Sequence, residues 1–470
     1  MTTANTRSRI GRLITTYSAL ALLGASCALA GPLDPPAGAV ASTGKTIAET
    51  EPRTLINSTN TPGDANSTFR IVASGSYYLG GNISGTAGRR GIEIAASNVT
   101  IDLNGFTLNG GSGGTTLEGI VTDSIATPRD ITIRNGRVVG WGFAGIQMLG
   151  TDGSRVIVDV VSANNGSTGI NLGNGARLER VSSVGNAGIG ITVGERAVIH
   201  NSSVTLNNGI GVSAGAALLI TGSNISGNAS TGISAPSGTV TNCTVSGNSA
   251  GIIIAGRGVI TATLSQSNGG TGVSAGNNST LENVTSDGNG TNGISVASGS
   301  TVRGCTATGN GAIGFVGSNS VLFETCVARD NVGDGFNAGF GAHVESCVAG
   351  LNDGHGFVVS GGSTVRNNTA RGNGAFFNGN FAQFRTTSDQ SRFEGNTASG
   401  NSAHGFWIGG TRNIIIGNTV TGATTSAWNI AGSNLYGPII DRTAILTATV
   451  NGSSAPSTHF GTDPRENVTH

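Results

Sequence analysis

A repeat of about 21 residues constrains the fold of this chain more than any other feature. The stretch from Thr301 to Phe336, "TVRGCTATGNGAIGFVGSNSVLFETCVARDNVGDGF", contains the unit nearly twice. An asparagine closes each unit, and a large apolar residue precedes it by eight positions. The spacing is constant except for two steps that are one residue shorter, and the asparagines are Asn165, Asn186, Asn207, Asn228, Asn248, Asn268, Asn289, Asn310, Asn331, Asn352 and Asn373. The apolar residues are Ile157, Leu178, Ile199, Ile220, Val240, Ile260, Leu281, Val302, Phe323, Val344 and Val365.

The repeat predicts an all-β fold, a parallel β-helix with coils of about 21 residues. Helical repeats need longer units and a sustained period of 3.6 residues, whereas here β-branched residues lie in short runs between glycine, serine and asparagine. Successive coils pair through short strands about 4.8 Å apart, so the stacked asparagines are expected to hydrogen-bond with one another. A glycine such as Gly314 or Gly335 precedes the next apolar residue, which suits a bend too crowded for a side chain or one that needs a positive φ.

The composition excludes disorder and a global charge field. Glycine accounts for 79 of the 470 residues, which would indicate a low-complexity chain if the glycines were not patterned. The 25 basic and 25 acidic residues balance, so nothing steers the protein as a whole toward nucleic acid or an anionic membrane. We therefore predict no nucleic-acid partner.

The N-terminus has the pattern of an export signal over residues 1–30. Three arginines precede an apolar run from about Leu13 to Leu29, and Ala28-Leu29-Ala30 before Gly31 fits a cleavage site. An uncleaved anchor is the alternative, disfavoured because polar residues interrupt this short run. No later segment has eighteen consecutive apolar residues, so no membrane insertion is expected after signal removal. We predict a linker and cap at 31–90, the β-helix at 91–443 and a C-terminal tail at 444–470.

The four later cysteines form a column rather than pairs. Cys243, Cys305, Cys326 and Cys347 each lie five residues before the closing asparagine, where Val181 stands in another unit. This pattern favours buried free thiols, because stacked side chains that point the same way suit disulfide geometry poorly. Disulfides remain the alternative.

Segments ahead of the regular repeat carry a resemblance to a known family. They include "GSYYLGGNISG", "GIEIAASNVTIDLNGFTLNG" (Gly91 to Gly110) and "ITIRNGRVVGWGFAGIQM" (Ile131 to Met148). Over most of residues 31–443 the chain resembles exported bacterial right-handed parallel β-helix proteins of the pectate-lyase-like superfamily. The resemblance implies a right-handed coil, a secreted, periplasmic or cell-surface location and a bias toward polysaccharide ligands. It implies no reaction, because "VTIDLNGFTL" carries no catalytic residue in those proteins.

The catalytic sets of carbohydrate-active β-helices are incomplete here. The one lysine, Lys45, lies ahead of the repeat, and no Asp-Asp pair or Arg-x-Lys accompanies the Gly-His-Gly of "DGHGF" (Asp353 to Phe357). The Asp-Pro-His of mannuronan epimerases is missing, since the only Asp-Pro pairs are Asp34-Pro35 and Asp463-Pro464. Calcium-binding nonapeptide repeats are also missing. No cofactor or metal site is predicted.

Candidate site residues cluster near the C-terminal end of the repeat. Asp334, His355 and His404 each precede a Gly-Phe pair, and stacking places the first two about 5 Å apart, so the carboxylate could orient the imidazole. The coil that ends at Asn401 is longer than its neighbours, and insertions in repeat proteins tend to lie on the binding face. The aromatic and arginine residues predicted to contact a ligand are Arg371, Phe377, Phe381, Phe384, Arg385 and Trp407. The alternatives are a solvated polar bend and phenylalanines that fill a widened core.

Two functions remain open from the sequence. The first is an exported protein that binds a polysaccharide or a cell-surface glycan without turnover. The second is a polysaccharide lyase, hydrolase or epimerase with catalytic Asp334, His355 and His404 and a site spanning residues 334–407. The sequence does not distinguish them, and it names neither the sugar nor the oligomeric state.

Overall fold

The structure is a computed structural model that describes residues 51–111, 115–374, 380–400, 403–441, 450–451 and 465–469. Contacts divide the chain into Met1–Glu51 and Pro52–His470, and all strands of the described residues belong to the second unit. The predicted export signal lies outside the described residues. Within the described ranges, no helix is long and apolar enough to cross a membrane.

The first sheet contributes one strand to each of about 18 coils, and its strands pair in parallel with those of the coils before and after. This arrangement confirms the parallel solenoid. We call its members a-strands: Ser67–Ile71, Arg90–Ile94, Ile120–Thr122, Ile146–Met148, Ile170–Leu172, Ile191–Val193, Val212–Ala214, Thr231–Ala235, Ala250–Ile254, Val273–Ala275, Ile294–Val296, Phe315–Gly317, Phe336–Ala338, Phe357–Val359, Ala382–Thr386, His404–Ile408, Ser426–Ile430 and Val450–Asn451.

The second sheet takes two strands from most coils. The b-strands are Thr54–Leu55, Gly75–Tyr78, Val99–Asp102, Ala176–Glu179, Val198–His200, Leu218–Thr221, Gly238–Thr241, Gly258–Thr261, Thr280–Glu282, Thr301–Arg303, Leu322–Glu324, His343–Glu345, Thr364–Arg366, Arg392–Glu394, Ile414–Ile416 and Leu435–Tyr436. The c-strands are Ile83–Ser84, Thr107–Asn109, Ser182–Val184, Ser203–Thr205, Asn224–Ser226, Thr244–Ser246, Leu264–Gln266, Thr285–Asp287, Thr306–Thr308, Val327–Arg329, Val348–Gly350, Thr369–Arg371, Thr397–Ser399, Thr419–Thr421, Ile439–Asp441 and Asn467–Thr469. Ile131–Val139 and Arg155–Ala163 run through both positions.

Parallel pairing extends beyond the predicted limits of 91 and 443. Thr54–Leu55 pairs with Gly75–Tyr78, so coiling starts within the segment predicted as linker and cap. At the other end, Asn467–Thr469 pairs with Thr419–Thr421, so part of the predicted tail joins the sheet. The early coils are longer than the regular unit, as the pairing of Tyr77 with Ile101 shows. This irregular length explains why the repeat does not reveal them.

The corners between strands combine left-handed residues with crowded glycines. The residue before each ladder asparagine has a positive φ, as in Gly309 at 62°. Gly335, which precedes an a-strand, does not belong to this set. A Cβ at Gly335 would lie 2.7 Å from the carbonyl oxygen of Gly356 and 2.9 Å from the Cβ of Ala349. Of the two reasons expected for glycine at this position, crowding therefore applies.

The buried asparagines form the predicted ladder. Each side-chain amide donates from Nδ2 to Oδ1 of the asparagine one coil later, at 2.7–3.1 Å from Asn165 to Asn373. The same Oδ1 also accepts the preceding asparagine's backbone N–H, as Asn310 does from Asn289 at 3.1 Å. The ladder passes to Gln383, whose Oε1 accepts from Asn373 at 2.6 Å. Both polar groups of each amide are thus satisfied inside the coil.

The cysteine column is buried but not purely apolar. All four described cysteines are free and buried. Cys305 Sγ accepts the backbone N–H of Val284 at 3.4 Å. Asn368 occupies the same column one coil after Cys347, and its Oδ1 accepts the backbone N–H of Cys347 at 2.8 Å. This position therefore takes small residues, some of which accept a hydrogen bond from the preceding coil and some of which, such as Val181, are apolar.

Replacing a ladder asparagine is expected to destabilise the fold strongly. Asn310→Ala leaves the buried amide and backbone N–H of Asn289 without their acceptor, so we expect the free energy of unfolding to fall by about 3 kcal/mol. Asn224→Ala is the matched control, because Asn224 is exposed and its amide contacts only Ser226 at 3.3 Å. Urea unfolding checks this prediction, and equal losses in the two variants would contradict it.

Alanine substitutions at two glycines of neighbouring coils test whether crowding or chain flexibility explains the need for glycine. Gly335→Ala forces backbone atoms apart and should lower the free energy of unfolding by about 1–3 kcal/mol. Gly350→Ala should leave it unchanged or raise it by up to about 1 kcal/mol, because the nearest atom to its Cβ is the carbonyl oxygen of Arg371 at 3.9 Å and glycine is unfavourable inside a strand. Urea unfolding of both variants provides the comparison. A Gly350→Ala loss as large as that of Gly335→Ala would show that crowding is not the cause.

Candidate functional site

Register between a-strands aligns the predicted polar residues at one corner. Phe336 pairs with Phe357, which pairs with Phe384, and that residue pairs with Phe406. Two residues before these phenylalanines lie Asp334, His355, Ala382 and His404, one per coil. The two histidines are therefore separated by a coil that carries alanine.

The long coil places its extra residues at this same corner. Asn368 and Asn396 stack across it at a sequence separation of 28, whereas Asn352 and Asn373 stack at a separation of 21. The extra residues follow Asn373 and precede the a-strand Ala382–Thr386. Phe377 lies outside the described residues. The described end of the insertion is adjacent to His355, because the ring of Phe381 contacts the imidazole.

Asp334 contacts the backbone of His355 rather than its ring. Its Oδ1 accepts the backbone N–H of His355 at 2.8 Å, so the two residues are neighbours in adjacent coils. The expected orientation of the imidazole by this carboxylate is not what the geometry shows. Burial raises the pKa of Asp334, while the His355 N–H and the positive charge of Arg385 oppose that rise.

The imidazole of His355 is almost fully enclosed and contacts two nitrogen donors. Its Nδ1 accepts the backbone N–H of Ala382 at 2.9 Å, and its Nε2 lies 2.8 Å from Nη1 of Arg385. The residue is 6% exposed. Burial, followed by the charge of Arg385, lowers the pKa of His355 to about 4. The ring is therefore neutral near pH 7.

A neutral imidazole cannot accept at both nitrogens. When Nδ1 accepts from Ala382, the ring proton is on Nε2 and faces Nη1 of Arg385, which is also a donor. In the other tautomer the ring proton is on Nδ1, where it faces the backbone N–H of Ala382, which is also a donor. The corner therefore holds more hydrogen-bond donors than acceptors, and one additional acceptor oxygen between His355 and Arg385 would satisfy both.

Arg385 lies between the imidazole and an aromatic ring. Its guanidinium carbon is 4.8 Å from the ring centroid of Trp407, its register partner in the next a-strand. Its Nε is buried and has no hydrogen-bond partner among the described residues. Phe381 adds an edge contact, with its centroid 5.2 Å from that of His355. We call Asp334, His355, Phe381, Arg385 and Trp407 the His355 cluster.

His404 supports this cluster from the next coil but one. It is 2% exposed, its Nδ1 lies 2.8 Å from Oγ of Ser426, and its Nε2 lies 2.9 Å from Oδ1 of Asn380. The ring centroid is 5.4 Å from that of Trp407. Burial lowers the pKa of His404. With both ring nitrogens engaged, this histidine is placed to position Trp407 rather than to contact a ligand.

Two predicted ligand-binding residues lie elsewhere. Phe384 is 0% exposed and stacks in the core between Phe357 and Phe406, at centroid distances of 5.0 and 4.8 Å. It fills the core, as the alternative interpretation held, and cannot contact a ligand. Arg371 lies at the exposed end of a c-strand in the second sheet and lines a different cleft.

Three partners in this region were missed by the sequence analysis. The backbone N–H of Ala382, the amide of Asn380 and the hydroxyl of Ser426 hold the two histidines. Ser426 could have been found by counting one coil on from His404. The other two belong to the long coil, where no period indicates their position. In the part of the chain that the structure describes, no group of three His, Cys, Asp or Glu side chains could hold a metal ion.

Comparisons with known proteins concern the fold. The profile of the family described as "Right handed beta helix region" matches residues 144–266 and 250–385. The A-module of Azotobacter vinelandii mannuronan C-5 epimerase AlgE6 is similar at 15% identity, with 84% of this chain and 90% of that chain covered and a TM-score of 0.31. Pectate lyase Pel9A is similar at 13% identity, with 64% and 80% covered and a TM-score of 0.25. No curated protein sequence matches significantly. Similarity at this level carries no information about function.

The buried imidazole predicts a pH dependence of stability. Because the folded pKa of His355 is about 4, below the usual 6.5, the unfolded chain binds more protons between these values. The free energy of unfolding should therefore fall as pH drops from 6.5 to about 4, by on the order of 2 kcal/mol. His355→Gln should lose less over this window, since its amide oxygen can still accept from Ala382. Urea unfolding at constant ionic strength checks this, and parallel pH curves would contradict it.

Proposed function

The chain belongs to the family of right-handed β-helix proteins, and on this scaffold we propose that it binds an acidic polysaccharide at the His355 cluster. The ligand class follows from the chemistry of the cluster, which offers nitrogen donors and aromatic rings. Binding without turnover is the function that the geometry favours. The predicted signal at residues 1–30 would take the protein to the periplasm, the cell surface or the medium, where such polymers occur.

The observation that carries this proposal is the surplus of donors between His355 and Arg385. Once Arg385 shifts from its 2.8 Å contact with Nε2, a carboxylate oxygen of a uronic acid would accept from Nε2 of the neutral imidazole and from the guanidinium at the same time. The unpartnered Nε of Arg385 adds another donor, and Trp407 holds the guanidinium plane in place. A neutral sugar would leave Arg385 with Asp334 of its own cluster as the nearby negative group and would add none.

Turnover is the second candidate, and one observation favours it. With a pKa of about 4, His355 is unprotonated near neutral pH and can act as a base, while Arg385 could stabilise charge on a neighbouring carboxylate. A lyase or an epimerase uses such a combination more readily than a hydrolase, which needs two carboxyl groups. The 2.8 Å contact between Nε2 and Nη1 covers the basic nitrogen, however. Catalysis would require Arg385 to move first.

Binding is tested by calorimetric titration with polygalacturonate and alginate, and with neutral dextran as the ligand control. We expect both acidic polymers to bind, and Arg385→Gln to weaken binding about tenfold or more, as loss of a charge-assisted hydrogen bond does. Arg392→Gln is the protein control, because Arg392 lies in the same coil, half-exposed, and pairs with Glu394. Unchanged affinity in Arg385→Gln would contradict the proposal.

Turnover is tested separately on the same polymers and on chondroitin. Unsaturated products, new reducing ends or epimerised residues that disappear in His355→Gln would assign the reaction to this ring. Product formation that persists in His355→Gln would remove His355 as the base. Binding without any product would leave the protein as a binding module.

A further inference from the structure

A cleft opens on the outer face of three c-strands. Its volume is about 420 Å³, within the range typical of ligand sites. Val327–Arg329, Val348–Gly350 and Thr369–Arg371 supply its walls. We call it the Arg371 groove, and its lining residues are Val327, Arg329, Val348, Gly350, Leu351, Thr369 and Arg371.

The groove coincides with a break in the pattern of the c-strands. In many coils the outward first and third positions carry small polar residues, which make an even face. At three successive coils five of these six positions carry valine, arginine or glycine instead, and the sixth is Thr369. Strands that follow the pattern are Ser203–Thr205, Thr244–Ser246, Thr306–Thr308, Thr397–Ser399 and Thr419–Thr421.

Gly350 is a glycine that the backbone does not require. Its φ is not left-handed, and a Cβ there would have no neighbour closer than 3.9 Å. Glycine inside a strand costs roughly 0.5–1 kcal/mol relative to alanine, so the fold alone favours a side chain. In register, Gly350 lies between Arg329 and Arg371. The missing side chain therefore opens space between two guanidinium groups.

Leu351 provides a strained apolar floor. Its φ is 55°, at a corner where most coils have glycine, as Gly309 and Gly372 show at 62° and 63°. A left-handed conformation costs a branched side chain roughly 1–2 kcal/mol. Leu206 is a further leucine at this corner, so the conformation is tolerated in the fold. In the groove, Leu351 and Val348 are 36% and 40% exposed and form a contiguous apolar surface.

The charges of the groove are of one sign. Arg371 forms no ion pair with any described residue, and the lining contains no carboxylate. Arg329 has one exposed pair, with Asp330 at 3.2 Å, which is worth little and leaves other N–H groups available. Two coil steps separate the arginine backbones by about 10 Å. A ligand that fits has negative groups and an apolar face.

We infer that the Arg371 groove is a second binding site for the acidic polysaccharide. Carboxylates of the chain bind between Arg329 and Arg371, and the C–H faces of its sugar rings pack on Val348 and Leu351. The inference rests on the proposed function for its class of ligand. Leu351 and His355 are at opposite ends of one five-residue corner, so a single polymer can contact the groove and the His355 cluster.

The test uses polygalacturonate and two variants that alter the groove differently. Gly350→Leu fills the space and keeps both arginines, whereas Arg371→Gln keeps the space and removes a charge. Each should weaken binding about fivefold or more, and Arg371→Gln should also reduce the dependence of affinity on salt. Ser246→Leu and Arg196→Gln are the matched controls, because Ser246 has the same strand position in another coil and Arg196 is exposed. Unfolding curves establish that all variants are folded.

A local reporter separates the two sites. The described native cysteines are buried, so Thr369→Cys can be labelled selectively with an environment-sensitive fluorophore, and Ser246→Cys serves as its control. Polygalacturonate should change the fluorescence at position 369 even when Arg385→Gln is present. A fluorescence change at position 369, together with the weaker binding of Gly350→Leu and Arg371→Gln, supports binding in the groove. If only Arg385→Gln weakens binding and position 369 stays silent, the groove is wrong and the proposed function stands.

The converse outcome is also distinguishable. If Gly350→Leu and Arg371→Gln weaken binding while Arg385→Gln does not, the groove stands and the His355 cluster is not the binding site. The groove would be overturned if Gly350→Leu lost no more affinity than its control Ser246→Leu, and Arg371→Gln lost no more than its control Arg196→Gln. The absence of any polygalacturonate binding by the native protein would overturn both.

Discussion

The hydrogen bonds between successive coils are the interaction on which the rest of the structure depends. A strand of three residues has no stability by itself, and each is held only because its backbone pairs with the coils on either side. Corners must then superimpose from coil to coil, so their buried polar groups have to be satisfied along the stack. The asparagine ladder meets this requirement at one corner, and hydrogen-bond acceptors of different types meet it at another. In the column of the four cysteines, Ser223, Thr263 and Asn368 also accept a backbone N–H from the preceding coil, whereas Val181 and Val284 are apolar.

The two proposed binding sites lie where this regularity is relaxed. At the His355 cluster, extra residues enter at a corner, and the ladder continues through Gln383 instead of an asparagine. At the Arg371 groove, the backbone remains regular and only the outward side chains change. The inserted residues at the His355 cluster bring together side chains that the repeat alone would keep apart. At the Arg371 groove, the even spacing of the coils sets the distance between two arginines.

The sequence predicted the parallel coil, the ladder and the alignment of Asp334 with His355, because each depends on counting equal steps. It did not predict which atoms of His355 the carboxylate contacts, since register fixes the position of a residue but not the choice between backbone and ring. Phe384 was assigned to the surface because the long coil has several phenylalanines and no internal period. Only the pairing with Phe357 shows that this one continues the core stack. The first coils have no constant period either, since their lengths vary.

The asparagine ladder has an electrical consequence. Every side-chain amide points its nitrogen toward the C-terminal end of the chain and its oxygen toward the N-terminal end, so the individual dipoles add along the row. The positive end of this row is at Asn373 and Gln383. Gln383 follows Ala382, whose backbone N–H donates to the imidazole of His355. A column that satisfies buried amides therefore also produces a positive potential at the corner where Arg385 lies. An anion at that corner would be stabilised by the terminal amides of the row as well as by the side chains that contact it, because the partial charges inside the row cancel.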